Sequence, residues 1–315
     1  TQWSDLEPYY QNFLNREIDS ANALEDWLLE LGRFDGYVSE TGSMLYVNMT
    51  CDTENEKVKQ AYLDFVEKVQ PELAKISDLL NRKLAECPHA DELDPVEYNV
   101  LLRDTRMDLA LFREENIPLG TELTKLGQRY NEICGARTVE IEGEERRMQQ
   151  MGKYLQVNER EIRENAYTTV GERRFQNSEE IDELYEKMIE LRHQIAQNAG
   201  YENFRDYIFD AKHRFDYTPA DCEAFQDAVE AICVPLMRDV DDQRKSDLKL
   251  DSLRMWDLGH DVHGREPLKP FTEVEEMVAG TSRMFHRLSP ELGKFFDSLR
   301  DGTSLDLNSR KGKAP

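Results

Sequence analysis

Six histidines are the first residues in this chain to consider for metal or acid–base chemistry: His89, His193, His213, His260, His263 and His286. A hydrolytic zinc site needs two or three neutral imidazoles or carboxylates, plus a base for the metal-bound water. No histidine here is followed by glutamate, so the helical His-Glu-x-x-His arrangement is absent from the sequence. The densest run of ligand types is Asp257-Leu258-Gly259-His260-Asp261-Val262-His263. It lies in a stretch of glycine, proline and histidine, about residues 251–271, that reads as irregular chain. A polar surface loop explains it better than a metal site. His193 reads as a helix-surface residue, and His213 and His286 sit beside arginines without ligand spacing. No catalytic and no metal-binding residue is assigned.

Nucleophilic chemistry finds no support either. There is no G-x-S-x-G elbow, and none of Cys51, Cys87, Cys134, Cys222 and Cys233 carries a local catalytic signature. Gly120 and Gly127 stand alone, so no phosphate-cradling loop is formed. The aromatic run Tyr201, Phe204, Tyr207, Phe209, Phe215 and Tyr217 reads as core filling before ligand binding.

The elements that carry these residues are overwhelmingly helical. Val58, Ala61, Tyr62, Phe65, Val69, Leu73, Ile76, Leu80 and Leu84 fall at steps of three and four, the stripe of one long helix bent at Pro71. Asp94-Pro95, Thr218-Pro219 and Ser289-Pro290 pair a capping residue with proline at the first helical position. Asn177 with Glu180 and Thr272 with Glu275 have capping-box spacing, and Gly200 is a natural helix end. Thr138-Val139-Glu140-Ile141-Glu142-Gly143-Glu144 alternates apolar and polar residues and then meets a glycine, which predicts a small hairpin. Met44–Met49 is a weaker strand candidate. A boundary near Asn177 is compatible with the pattern, although composition does not mark it.

Composition narrows the class. Sixty-four acidic against 40 basic residues give a net charge of −24, which repels phosphate backbones and argues against a nucleic-acid partner. No run of about 18 apolar residues exists to span a membrane. Thr1 to Asp5 show neither the basic region nor the apolar block of a secretory signal. An odd number of unpaired-looking cysteines in a chain of 315 residues fits reduced thiols and a cytoplasmic location.

Several segments, taken in order, resemble one family. They are the hairpin at 138–144, Asn158-Glu159-Arg160-Glu161-Ile162-Arg163-Glu164-Asn165-Ala166-Tyr167, and Leu191 to Tyr201. Arg214 to Thr218, Pro235, Leu253-Arg254-Met255-Trp256-Asp257 and the closing Arg310-Lys311-Gly312-Lys313-Ala314-Pro315 follow. Together they resemble the oligoendopeptidase F branch of the M3 (thimet-like) zinc metallopeptidases. Asn158-Glu159 stands where that pattern more often has aspartate, and Met255 where it more often has proline.

The resemblance implies a mainly α, clam-like oligopeptidase lobe with a small β-hairpin. It implies an N-terminal helical domain over residues 1–177 and the beginning of the peptidase domain over 178–315. It also implies that the sequence runs out before the zinc-binding helix. Short peptides are then the ligands, and the catalytic half beyond residue 315 is the partner. Zinc belongs to the full-length enzyme, and none is expected in this chain. Lys311 and Lys313 are the candidate substrate contacts, with a solvated basic tail as the alternative. Apolar surface is expected near Phe285, Phe295 and Phe296. The competing reading is a stand-alone, non-catalytic helical peptide-binding or scaffold protein of the same descent.

Overall fold

The computed structural model describes residues 2–302 and 304–314. Thr1 and Pro315, which belong to the terminal segments read above, lie outside the described residues. Thirteen α-helices follow one another among the described residues: α1 (Trp3–Asn15), α2 (Ala21–Cys51), α3 (Glu56–Lys68), α4 (Gln70–Ala85), α5 (Pro95–Leu111), α6 (Asn116–Gly135), α7 (Arg160–Phe175), α8 (Ser178–Asn198), α9 (Phe204–Ala211), α10 (Pro219–Ala228), α11 (Val234–Asp247), α12 (Val274–Leu288) and α13 (Pro290–Asp301). Two short strands, β1 (Thr138–Ile141) and β2 (Glu144–Arg147), lie between α6 and α7. No described helix is long and apolar enough to cross a membrane.

The chain forms two compact units. The first comprises the chain up to Ile133, Ser178–Cys233 and Ala314. Its main core joins α1, α2 and α4 through Tyr10, Phe13, Leu24, Trp27, Ile76, Leu80 and Leu84. Polar groups finish this core. The Trp27 indole Nε1 donates to the Phe13 carbonyl at 3.0 Å. The Lys83 ammonium donates to the carbonyls of Phe13, Leu14 and Arg16. These are the carbonyls that the end of α1 leaves without helical partners.

Two expectations change here. Residues Met44–Met49 belong to α2 and not to a strand. Leu45 and Met49, one turn apart, pack with Tyr62 and Val66 of α3, so tertiary packing decides what a short apolar run leaves ambiguous. The long stripe from Val58 to Leu84 is two helices, α3 and α4, that meet at Val69. Pro71 falls in the first turn of α4, where its missing N–H breaks no helical hydrogen bond. The caps at Asp94, Thr218 and Ser289 form as their spacing predicts, each side chain accepting from a backbone N–H of the first turn.

The second unit comprises Cys134–Asn177 and Val234–Lys313. The strands pair antiparallel with Thr138 opposite Arg147 and Ile141 opposite Glu144. Glu142 (φ 56°) and Gly143 (φ 78°) make the turn, the left-handed pair that a two-residue hairpin demands. Val139 and Ile141 face inward onto Met151, Tyr154 and Ala166 of α7 and the 3₁₀ segment before it. The cap of α12 is displaced by one residue from Thr272/Glu275: Glu276 Oε2 accepts from the backbone N–H of Thr272 and Glu273.

Candidate functional site

The most constrained polar cluster of the second unit is built on Asp257, which is fully buried. Arg160 and Arg163, three residues apart on α7, present their guanidinium groups on one side of the helix. Arg160 grips the carboxylate with two parallel bonds, Nε to Oδ1 at 3.0 Å and Nη2 to Oδ2 at 2.9 Å. Arg163 adds Nη2 to Oδ1 at 3.0 Å, and the Arg254 backbone N–H donates to Oδ2 at 3.0 Å. Arg163 is itself buried and donates further to the carbonyls of Trp256, Val157 and Asn158. Loss of water pushes the Asp257 carboxyl up, but the two guanidinium groups outweigh it and hold the acid below its ordinary value. Trp256 completes the cluster, with the Arg160 guanidinium 5.9 Å from its ring centre and the Tyr167 ring at 5.6 Å. Two sequence segments singled out separately, 158–167 and 253–257, are thus one lock. Both carboxylate oxygens are fully engaged, whereas the Trp256 indole Nε1 is buried without a hydrogen-bonding partner; the chemistry of the cluster is positional, and it fixes the start of the loop that follows.

That loop carries the histidines considered as metal ligands. His260 is buried, its ring Nδ1 meets no hydrogen-bonding partner, and its carbonyl accepts from Arg244 at 2.7 Å. His263 is exposed. Asp261 is held by Arg265 through Nε and Nη2, which keeps its carboxyl far below the ordinary range. Both carboxylates near His260 are therefore committed to arginine. Among the described residues no group of three His, Cys, Asp or Glu side chains is arranged to hold a metal ion. The residues present do not fit a zinc site.

The other histidines bridge helices. His213, at φ 52°, places Nε2 2.8 Å from Asp108 and Nδ1 3.4 Å from Asp104, one turn apart on α5. His286 Nε2 lies 2.7 Å from Asp297 Oδ2, while the Ser282 hydroxyl donates to Oδ1 of the same carboxylate. Serine, histidine and aspartate meet there, but the carboxylate stands between the other two. The hydroxyl proton is directed at Asp297 and not at an imidazole base, so this is no catalytic triad. His193 is exposed on α8. The aromatic run from Tyr201 to Tyr217 packs largely on itself, in pairs such as the half-buried Tyr201–Tyr207 and Phe209 with the exposed Tyr217.

Of the two candidate contact lysines, Lys311 is exposed in a turn with Gly312 at φ 79°. Lys313 points its ammonium at the Asp306 carbonyl and carboxylate, and its own carbonyl accepts from Arg147. Clefts of about 500 Å³ open in the first unit, two of them lined by polar groups of interest. One is lined by Asp108, Arg113, Asn116 and Tyr207 among others. The second lies beside Asp35, a residue that sequence spacing gave no reason to notice.

Two family models match the chain. Residues 1–112 match the peptidase M3 N-terminal domain and residues 153–289 match peptidase family M3, about four-fifths of the chain between them. The chain belongs to peptidase family M3. The Asp257 lock and the histidine loop both lie in the stretch matched by the M3 peptidase model, and the Asp35 cleft lies in the stretch matched by the M3 N-terminal domain. Solved structures share the fold. A structure named oligoendopeptidase F superposes with a TM-score of 0.93 at 23% identity, covering 100% of this chain and 56% of its own. PZ peptidase A with an inhibitor gives 0.92 at 23%, covering 100% and 56%. An oligoendopeptidase F from Bacillus anthracis str. Ames gives 0.92 at 21%, covering 100% and 58%. This M3 chain therefore spans little more than half the length of those structures. No curated protein matches it.

Proposed function

We propose that this chain is the N-terminal portion of a zinc-dependent oligoendopeptidase F that cleaves short peptides, and that it walls the substrate channel. The observation that carries this reading is the superposition of the whole chain on 56% of oligoendopeptidase F-type structures. In this reading residues 1–177 are the N-terminal helical domain and 178–315 begin the peptidase domain. The His-Glu-x-x-His helix and its zinc follow after residue 315, in a cytoplasmic enzyme. Exposed apolar surface supports the same picture. Leu236, Met237 and Val240 of α11 are more than half exposed. So are Met284, Leu288 and Phe295 on the α12–α13 pair. Such side chains call for a covering surface, which the catalytic half would supply. Lys311 is free to meet a peptide carboxylate, whereas Lys313 would first have to leave Asp306.

The test is to express this chain together with the sequence that its gene encodes after Pro315. Zinc-dependent cleavage of a fluorogenic peptide of about ten residues, absent from either part alone, supports the proposal. A gene product with no His-Glu-x-x-His after Pro315 overturns it and favours the stand-alone helical scaffold.

A further inference from the structure

The cleft beside Asp35, of about 510 Å³, runs lengthwise along α2. Asp35, Val38, Gly42 and Tyr46 all line it, and residues three or four apart on a helix share one face. Asp35 and Tyr46 stand eleven positions apart on this unbroken helix, which at 1.5 Å per residue sets the two ends about 16 Å apart. Tyr62 and Phe65 of α3 and Leu73 of α4 supply more of the lining. Gly42 lets that wall close in between the ends: a Cβ there would stand 2.9 Å from Phe65 Cε1.

The two ends differ in chemistry. At one, the hydroxyl of Tyr10, a residue only 2% exposed, donates to Asp35 Oδ1 at 2.7 Å and holds that carboxylate in place. Asp35 is the single charged residue of the lining, and no lysine, arginine or histidine shares it. It opens to solvent, yet the surrounding protein removes enough water to raise its carboxyl, against the opposing pull of the Tyr10 bond. At the other end the exposed Tyr46 ring tilts against Tyr62, with centres 5.5 Å apart. Ser39 and Ser43 of α2 and Gln70 and Ser77 of α4 also line the cleft, and among the described residues their side chains enter no hydrogen bond.

We infer that this cleft is a groove for an extended peptide, which places a lysine or arginine side chain at Asp35 and an aromatic side chain on the Tyr46 ring. An extended chain advances about 3.3 Å per residue, so about five steps cover the distance between the ends. A carboxylate with no neighbouring protein cation pairs with a guanidinium or ammonium group, and an exposed ring takes a second ring edge-on or offset. The unengaged serine hydroxyls and the Gln70 amide answer the N–H and C=O groups of the chain between. An anionic ligand meets only repulsion from Asp35, and a small molecule reaches one end but not both. The inference stands on the groove's own groups and not on the cleavage proposed above. Binding without cleavage therefore supports it and leaves that proposal to its own test.

The experiment is titration calorimetry of the chain with acetyl-Arg-Ala-Ser-Ala-Ser-Phe amide, its reversed sequence, its isomer with phenylalanine moved next to arginine, and its analogue with norleucine for arginine. The spaced peptide, in forward or reversed order, should bind at least tenfold more tightly than the contracted isomer and the norleucine analogue. The tighter order gives the direction in which the chain lies. Asp35→Asn should bring the arginine peptide to the affinity of the norleucine analogue. Tyr46→Ala removes a side chain that is 44% exposed and should weaken the spaced peptide at least threefold, with the folding of both variants checked by circular dichroism. No saturable binding by about 1 mM peptide overturns the inference. So does a contracted isomer that binds as tightly as the spaced peptide, or wild-type affinity in the folded variants.

Discussion

Gly293 lies directly beneath the His286 imidazole: a Cβ on Gly293 would stand 2.3 Å from His286 Cγ. The absent side chain allows α13 to approach α12 closely enough for His286 and Ser282 to share Asp297. The stacked Phe285 and Phe296 rings, 5.3 Å apart, pack beside that bond.

Gly293→Ala should therefore destabilise the chain by about 1–3 kcal/mol, the ordinary range for overpacking. Adding His286→Ala removes the obstructing ring, so the double variant should recover part of the loss. Urea denaturation of the four members of the cycle measures this coupling. Simple additivity would show that the ring and the glycine do not constrain each other.

Asp257→Asn should cost about 3–5 kcal/mol, because it leaves the buried Arg163 guanidinium without its counter-charge. The sign of the pH effect follows from the lowered carboxyl. Its contribution to stability is complete above the unfolded value of about 3.9 and is lost as pH falls below it toward the folded value. Denaturation midpoints at pH 7 and at steps down to about 3 should converge for wild type and Asp257→Asn. A constant gap across that range would mean that the charge on Asp257 is not what stabilises the lock.

Lys249 holds φ 54° just after α11, where the backbone N–H of Leu250 returns to the Lys245 carbonyl. Glycine takes this left-handed position without a Cβ clash. Lys249→Gly should raise stability by about 0.5–1 kcal/mol, visible as a higher thermal midpoint. An unchanged or lower midpoint would show that lysine makes a compensating contact there.

Signals that act over three or four residues were legible in the sequence. Asp94-Pro95, Thr218-Pro219 and Ser289-Pro290 each open a helix, since cap and proline act within one turn. The hairpin at Glu142-Gly143 is equally local. Met44–Met49 misleads because a six-residue apolar run has no period of its own, and the contacts that settle it come from Tyr62 and Val66. Resemblance pointed to Arg160, Arg163 and Asp257 as parts of separate motifs. Nothing in one sequence says that residues 94 and 97 positions apart close on each other. The Asp35 cleft was invisible for the same reason: its walls come from four helices, and no segment carries more than a fragment of it.

The uncovered apolar side chains of α12 and α13 sit on a molecule of net charge −24. Mutual repulsion then keeps copies apart in dilute buffer, while Met284, Leu288 and Phe295 would gain from meeting. Electrolyte acts on the first force and leaves the second, since the screening length shrinks from about 10 Å at 0.1 M to about 3 Å at 1 M. The colloidal behaviour of the chain is thus inverted relative to proteins glued by ion pairs: added sodium chloride should drive it toward larger particles in light scattering.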